Sequence, residues 1–307
     1  MTHVAFLVAD TAVVEDGNCL RLANALLARS DVPFICHMDT LALRDSEIVV
    51  DGYKVTTLLL DGEPGNEPEP LRLRDFDVTW VLSLGMRASF LDKYQLLFSL
   101  SRESRVINSV DAIMHLKSKY FLASQSDLLH YPETHAGTNP AALIDIMARG
   151  GQWIVKPPAG SLGRGVFKLT ADDPNAWPLL ESLCGPDNEN YVLLQRRVPE
   201  IEQGEKRVLF ADGQVIGQYR RRPSRDHRTN LMQGGIAEAC DLTSEEATYC
   251  ERLGAFLKAQ GASFVGLDMA YPWVIEFNVI NPGGIATIHD LTGEDLAPVA
   301  IEHIIPH

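Results

Sequence analysis

Asp268, Glu276 and Asn278 are the side chains whose types and spacing point most directly to chemistry. They lie in FVGLDMAYPWVIEFNV, residues 264–279, where two apolar runs flank Ala270-Tyr271-Pro272. Both runs alternate, which predicts two antiparallel strands joined by a short turn. Glu276 and Asn278 are two residues apart, so their side chains leave the same face of one strand. A turn centred near Tyr271 and Pro272 sets Asp268 across from Glu276. Three oxygen-bearing side chains then converge on one patch. Carboxylates and an amide oxygen are hard ligands, suited to a Mg²⁺ ion that also holds phosphate. The plain alternative is a solvated polar face on a hairpin, and the remaining chain has to separate the two.

A scaffold of ample size surrounds this hairpin. The 307 residues suffice for two or three subdomains with sizeable cores. Hydrophobic residues make up 46% and charged residues 22%, the balance of a soluble globular protein. No apolar run reaches the ~18 residues of a membrane span. The opening MTHVAFLVADTAVVEDG lacks a basic segment and turns acidic, so it reads as a first strand and not as a signal peptide. Cys19, Cys36, Cys184, Cys240 and Cys250 are scattered and form no CxxC pair; reduced thiols in a cytoplasmic protein are the simplest account. The net charge of −14 argues against nucleic acid or an anionic membrane as partner. An anionic substrate therefore needs a local basic pocket.

In chain order, residues 3–9 read as an apolar strand, 18–29 as a helix and 34–37 as a second strand. This βαβ start predicts a parallel sheet. EIVVDGYKVTTLL reads as a hairpin turning at Asp51-Gly52. Residues 62–70 are a Pro-rich loop, and strands at 76–83 and 105–108 flank a helix at 88–102. GxGxxG is absent, so this doubly wound α/β unit, roughly residues 1–118, carries no dinucleotide fingerprint.

Helices at 117–126 and 139–149 lead to a strand, 152–156, that ends on Lys156. The Gly-rich PPAGSLGRG follows, then a strand at 166–169. Such a loop can fold over phosphates because glycines let backbone N–H groups approach closely, although GxxxxGK[ST] is absent and the same sequence suits a flexible turn. A strand at 191–195 runs into Arg196, and GEKRVLFADGQVIGQYRRRP reads as two strands turning at Asp212-Gly213. Arg207, Arg220, Arg221, Arg222, Arg225 and Arg228 make a cationic patch, either a salt-bridged surface or a cradle for phosphate or carboxylate. Thr243 to Glu246 opens a scaffold helix with a capping-box pattern, and Gly261 ends it. Residues 281–284 form a tight loop before a final helix at 295–304. The histidines form no HExxH set, and no GxSxG is present, so neither zinc-protease nor Ser-hydrolase chemistry is supported.

Four stretches in series, WIVKPPAGSLGRGVF, YVLLQRRVPEIEQGEKRVLFADGQVI, HRTNLMQGG and FVGLDMAYPWVIEFNVINP, resemble the ATP-grasp ligases, most closely the bacterial glutathione synthetases. They occur in that family's order and spacing over about the last two thirds of the chain; the N-terminal part matches only in its α/β layout. The resemblance implies an α/β (α+β) ATP-grasp fold. Residues 1–118 would be an N-terminal doubly wound domain, 119–195 a small lid subdomain, and 196–307 a C-terminal subdomain carrying metal and substrate residues.

The resemblance also implies roles. Lys156 matches a lysine on nucleotide phosphate, and Lys119 matches an earlier ATP lysine, with Lys117 close enough to compete for the assignment. Gly160, Ser161, Gly163 and Gly165 fall in the loop that closes over the phosphates. Gln195 and Val198 belong to the hinge against adenine, and Glu205 stands where the family has an acid near the ribose. Asp268, Glu276 and Asn278 match magnesium ligands. Arg207 and Arg228 match arginines facing the reacting phosphate and acyl group, with Asn230 beside them. Asn281, Gly283 and Gly284 follow the metal strand and could offer backbone N–H groups to substrate.

The implied reaction explains this equipment. A carboxylate is a poor electrophile; transfer of the γ-phosphoryl group of ATP makes it an acyl phosphate, which an amine attacks with loss of phosphate. Alignment and charge neutralisation carry most of such a step, and a Gly-hinged lid excludes water. ATP and Mg²⁺, with Mn²⁺ as the alternative ion, are the implied cofactors, and small-molecule acid and amine substrates the implied partners. A homo-oligomer is expected on resemblance alone.

The substrate side departs from the family. Ile280-Asn281-Pro282-Gly283-Gly284 replaces a Ser-Pro-Thr segment, and Ser83-Leu84-Gly85-Met86-Arg87 stands near the place of an Arg-Lys-Asp-Pro-Pro segment. Ligation of γ-glutamylcysteine to glycine is the leading expectation. Another acid and amine, a peptide substrate, or a non-catalytic ATP-binding regulator are the alternatives.

Overall fold

Continuous apolar runs make strands buried on both faces, and alternating runs make antiparallel strands with one face to solvent. Both kinds occur here. The structure is a computed structural model, and it describes residues 1–158, 165–222 and 235–306.

The first sheet holds β1 (His3–Val8), β2 (Val32–His37), β3 (Ala42–Arg44), β4 (Glu47–Lys54), β5 (Glu69–Arg72), β6 (Val78–Val81) and β7 (Arg105–Ile107). Its order is β3-β4-β2-β1-β6-β7, with β5 also on β4, and β2, β1, β6 and β7 run parallel. Helix α1 (Asn18–Ala28) carries the chain from β1 to β2, and α2 (Phe90–Leu100) from β6 to β7. The chain thus leaves β1 on one side and returns on the other. The resulting switch point lies at the carboxyl ends of β1 and β6, where doubly wound sheets bind ligands.

Asp51-Gly52 is not a turn. Both residues lie inside β4, and the hairpin turns instead at Asp45 and Ser46, which have φ of 50° and 66°. Gly52 serves close packing: a Cβ there would stand 2.6 Å from Cys36 Sγ and 2.7 Å from the Ile35 carbonyl. Close approach of a neighbouring strand, not chain reversal, selects this glycine.

The helix expected at 117–126 is the shorter α4 (Lys119–Ala123), and a further short helix, α3 (Val110–His115), precedes it. Ser109 and Ser118 cap them, accepting from the N–H groups of Ala112 and Phe121. A serine at each N-cap supplies the acceptor that starts these two helices.

The second sheet is antiparallel: β8 (Thr134–Gly137), β9 (Trp153–Lys156), β10 (Phe167–Leu169) and β11 (Val192–Arg196), in the order β10-β9-β11-β8. Helices α5 (Pro140–Met147) and α6 (Ala176–Cys184) share a core with it through Leu143, Met147, Trp153, Val155, Leu180 and Leu194.

The third sheet holds β12 (Glu205–Ala211), β13 (Gln214–Arg222), β14 (Ile236–Glu238), β15 (Phe264–Ala270) and β16 (Trp273–Asn278), all antiparallel, in the order β14-β13-β12-β15-β16. Asp212 and Gly213 form the β12–β13 turn, with φ of 46° and 84°, as an Asp-Gly hairpin requires. Helix α7 (Ser244–Ala259) has the expected capping box: Thr243 Oγ1 accepts from Glu246 N, and the Glu246 carboxylate accepts from Thr243 N. It covers one face of the sheet, with Leu253 and Leu257 against Val208, Phe210, Val265 and Phe277. Against the other face lie α8 (Ile285–Thr292), to which sequence reasoning assigned no element, and α9 (Ala297–Ile304). These helices share one core with Val4, Phe6 and Trp80 of the first sheet.

Asn108, just after β7, fastens the open end of the β15–β16 hairpin. Its Nδ2 donates to the carbonyls of Phe264 (2.7 Å) and Val279 (2.6 Å), and its Oδ1 accepts from Phe264 N (2.7 Å). All three bonds are buried, so the first unit fixes the strands that carry the candidate metal ligands.

Candidate active site

The β15–β16 pairing sets Asp268 opposite Glu276, as the alternation predicts, with Asn278 farther along the same face. A bulge at Asp268 leaves Ile275 as the extra residue. Asp268 is buried at the centre of a cationic clasp. Arg207, its register partner on β12, reaches Oδ1 through Nε at 2.5 Å and Oδ2 through Nη2 at 3.0 Å. Arg221, one strand farther, reaches Oδ1 at 2.5 Å and also holds Glu205 at 2.5 Å. Asn278 Nδ2 donates to Oδ2 at 3.1 Å. Burial pushes the Asp268 carboxyl up, but Arg207 and Arg221 together outweigh it and hold the group well below the usual carboxylate range.

Glu276 is more open, with 38% of its side chain exposed, and receives Lys119 Nζ at 3.0 Å. Lys119 is buried at the start of α4. Lys156, at the end of β9, donates to Gln195 Oε1 at 2.8 Å, and Gln195 Nε2 donates on to Thr134 Oγ1 at 2.9 Å. Burial, and then the nearby Lys119 ammonium, lower the Lys156 amine to about 8; Glu276 partly opposes them. The two lysines and Glu276 therefore share one electrostatic neighbourhood. Lys117 rests on the Phe90 ring, 4.7 Å from its centroid, so Lys119 is the lysine of the pair that faces the hairpin carboxylates.

The candidate substrate loop is tied down twice. Asn18 Nδ2 donates to Asn281 Oδ1 at 2.6 Å and to the Pro282 carbonyl at 3.2 Å. Arg207 Nη1 donates to the Gly283 carbonyl at 2.8 Å. Gly284 then begins α8. Arg207 thus touches both a candidate metal ligand and the candidate substrate loop.

Val198 is buried where β11 gives way to a 3₁₀ turn, and Arg196 beside it stacks on Trp153 at 3.7 Å. Glu205, expected beside a ribose, is buried with its carboxylate on Arg221. Gly165 occupies a turn with φ of 67°. Gly160, Ser161, Gly163, Arg228 and Asn230 lie outside the described residues.

Sequence reasoning gave no individual role to Asn18, Asn108, Thr134 or Arg221. Arg221 carried a weak signal as one arginine of a dense patch. The two asparagines carried none, because their partners lie 263 and 156 positions away.

The oxygen donors fit a divalent ion. Among the described residues no group of three or more His, Cys, Asp and Glu side chains forms a metal-holding cluster. The set here is two carboxylates and an amide, one carboxylate kept ionised by its neighbours, in reach of lysines that suit phosphate. A hard ion sharing its coordination with phosphate oxygens suits that donor set, and a soft or all-protein site does not.

Residues 119–293 match the family described as "Prokaryotic glutathione synthetase, ATP-grasp domain", over half of the chain. The chain belongs to the prokaryotic glutathione synthetase family. The glutathione synthetase of Brucella melitensis is 31% identical over 264 residues, 84% of this chain and 83% of that one. That of Parasynechococcus marenigrum is 33% identical over 240 residues, 77% of each. Among solved structures, D-cycloserine synthetase superposes with a TM-score of 0.71 at 16% identity over 98% of both chains. The ATP-grasp ligase PsnB, complexed with a phosphomimetic variant of its minimal precursor, Mg and ADP, superposes with 0.64 at 20% identity over 99% of this chain and 98% of that one. At such identities the likeness establishes the fold, which is ATP-grasp.

As a glutathione synthetase-family member the chain is an ATP-dependent carbon–nitrogen ligase of the glutathione synthetase type, and its family uses ATP and a divalent metal ion. Among the described residues no helix is long and apolar enough to cross a membrane.

Proposed function

We propose that this ligase is a glutathione synthetase, joining the cysteinyl carboxylate of γ-glutamylcysteine to the amine of glycine, with Mg²⁺ as its metal. The observation that carries the proposal is the meeting of Asp268, Glu276 and Asn278 with Lys119, Lys156 and Arg207 around one hairpin. Oxygen ligands, phosphate-binding ammoniums and a guanidinium are the groups that a phosphoryl transfer to carboxylate requires.

In this reading Lys119 and Lys156 bind nucleotide phosphate, and Gln195 sets the direction of Lys156 through a 2.8 Å hydrogen bond. Gln195, Val198 and Glu205 flank base and ribose, and the Gly-rich segment from Gly160 to Gly165 covers the phosphates. Asp268, Glu276 and Asn278 would hold the metal, which would supply positive charge to the phosphate oxygens. Arg207, joined on the family resemblance by Arg228 and Asn230, stabilises charge on the acyl group as phosphate is gained and lost. Asn281, Gly283 and Gly284 receive substrate on the loop that Asn18 and Arg207 hold. Residues 1–118, 119–195 and 196–307 act as the substrate-side domain, the lid and the catalytic subdomain. A cytoplasmic homo-oligomer completes the reading, on the family resemblance.

The test is phosphate release from ATP and Mg²⁺ with γ-glutamylcysteine, with and without glycine. Release that needs both, with glutathione as product, is expected. A protein that binds ATP but responds to neither leaves the ligase assignment standing and removes this substrate pair.

A further inference from the structure

Three hydrogen bonds run in series across the second sheet. Lys156 Nζ donates to Gln195 Oε1 (2.8 Å), Gln195 Nε2 donates to Thr134 Oγ1 (2.9 Å), and Thr134 Oγ1 donates to the Pro132 carbonyl (2.7 Å). The strands that carry them lie side by side in the order β9-β11-β8. Gln195 is the register partner of Thr134 on one side and of Ile154 on the other, and Lys156 is two residues beyond Ile154. All three side chains therefore leave one face of the sheet.

The direction of the series is set at its far end. A hydroxyl has one hydrogen to donate. Thr134 gives that hydrogen to Pro132, so toward Gln195 it presents only a lone pair. Gln195 must then turn its NH₂ group to Thr134 and its oxygen to Lys156. Turned over, the amide would set N–H donors against an ammonium and leave Lys156 without its acceptor. Gln195 is 6% exposed, so water has little access to replace either partner. Thr134 is β-branched and stiff about χ1, which keeps Oγ1 in place. The buried Tyr131 hydroxyl approaches the same amide but makes no hydrogen bond among the described residues.

We propose that Thr134 is a positioning residue: it fixes the Gln195 amide with its oxygen toward Lys156 and so holds the Lys156 ammonium, through Gln195, ready for nucleotide phosphate. The inference rests on the reading that Lys156 binds that phosphate. Thr134 itself need touch neither nucleotide nor substrate. Lys119 of α4 and Glu276 of β16, the other charged groups that act on this amine, are left as they are by any change at position 134.

The experiment compares wild type, Thr134→Val, Thr134→Ser, Gln195→Leu and the Val–Leu double variant. Val keeps the shape and removes the hydroxyl. Two quantities are read: the dissociation constant for ATP with Mg²⁺ by calorimetry, and the acetylation rate of Lys156 by acetic anhydride at pH 7, by peptide mass analysis against exposed Lys54. Thr134→Val should weaken ATP about fivefold, the size of one lost hydrogen bond. Without a fixed acceptor the ammonium is less favoured, so Lys156 should acetylate about two- to threefold faster. Thr134→Ser should recover most of both effects. In the Gln195→Leu background Thr134→Val should change either quantity by less than about 1.5-fold, because the amide it orients is gone. Equal effects of Val in both backgrounds would mean that Thr134 acts on the sheet and not through Gln195, and would overturn the proposal. So would unchanged acetylation in Thr134→Val, or a Tyr131→Phe variant that reproduces the Val effects. Faster acetylation with unchanged ATP affinity keeps Thr134 as the residue that orients Gln195 and removes Lys156 from the phosphates.

Discussion

Asn18 Nδ2 lies 2.6 Å from Asn281 Oδ1, joining the first turn of the first helix to the loop that follows the last strand. The same amide reaches the Pro282 carbonyl. Two acceptors meet one donor group, so the arrangement needs an amide and not a carboxylate at position 18. Asn18→Ala should lower kcat/KM on the order of 100-fold if the loop positions substrate, since small misplacements carry losses of that size. Its melting temperature should fall only slightly, for a loss of about 1–2 kcal/mol. Asn18→Asp should be at least as damaging. Full activity in the aspartate variant would show that the loop is held elsewhere.

Asp268 and Glu276 face each other, yet their replacement should have different signatures. Asp268→Asn leaves two buried guanidiniums short of their shared counter-charge and should cost about 3–5 kcal/mol. Glu276→Ala alters a partly exposed pair and should change stability by less than about 1 kcal/mol. Both should abolish turnover. Urea unfolding alongside phosphate release separates the effects, and near-normal activity in Glu276→Ala would remove it from the metal site.

Asn108→Ala should destabilise by roughly 3 kcal/mol or more, because Phe264 N–H and two carbonyls lose buried partners together. Urea midpoints report this directly. A variant as stable as wild type would mean that water or a neighbouring group takes over all three bonds.

Lys156 gives the site a pH signature. Its amine has a pKa of about 8, against an ordinary 10.5, because burial and Lys119 disfavour the ammonium. Phosphate beside it favours the ammonium, so ATP binding takes up a proton above pH 8. Affinity for ATP should be flat below about pH 8 and fall above it, by up to about tenfold per pH unit. The unfolded chain holds the proton more tightly than the folded one, so this lysine's penalty on the fold is complete below about pH 8 and fades as pH rises toward 10.5. Calorimetry in buffers of different ionisation heat measures the uptake, and Lys156→Met should abolish it. Identical heats in both buffers at pH 9 would argue that Lys156 is not at the phosphates.

Where local patterning controls structure, the fold was legible. The βαβ start, the Asp212-Gly213 turn, the capped α7 and the Asp268–Glu276 pairing all follow from periodicity or turn chemistry within a few residues. Asp51-Gly52 misled because a glycine chosen for close packing looks the same in sequence as one chosen for a turn. Helix α8 was hidden behind a Gly-rich start, with Gly284 at its cap and only two buried side chains along it. In the site, residue types named the candidate ligands, but nothing local reveals a partner 263 positions distant, and so Asn18 and Asn108 could be found only in three dimensions.

Among the described residues the chain enters the second sheet at Thr134, leaves it at Arg196 and does not return. One uninterrupted stretch of coding sequence therefore specifies the whole layer that bears Lys156 and Gln195. Recombination with a single pair of crossover points could exchange that layer between related genes. The asparagine clamps and the β15–β16 hairpin would be inherited unchanged, and nucleotide affinity could diverge by descent while the substrate side stayed as it was.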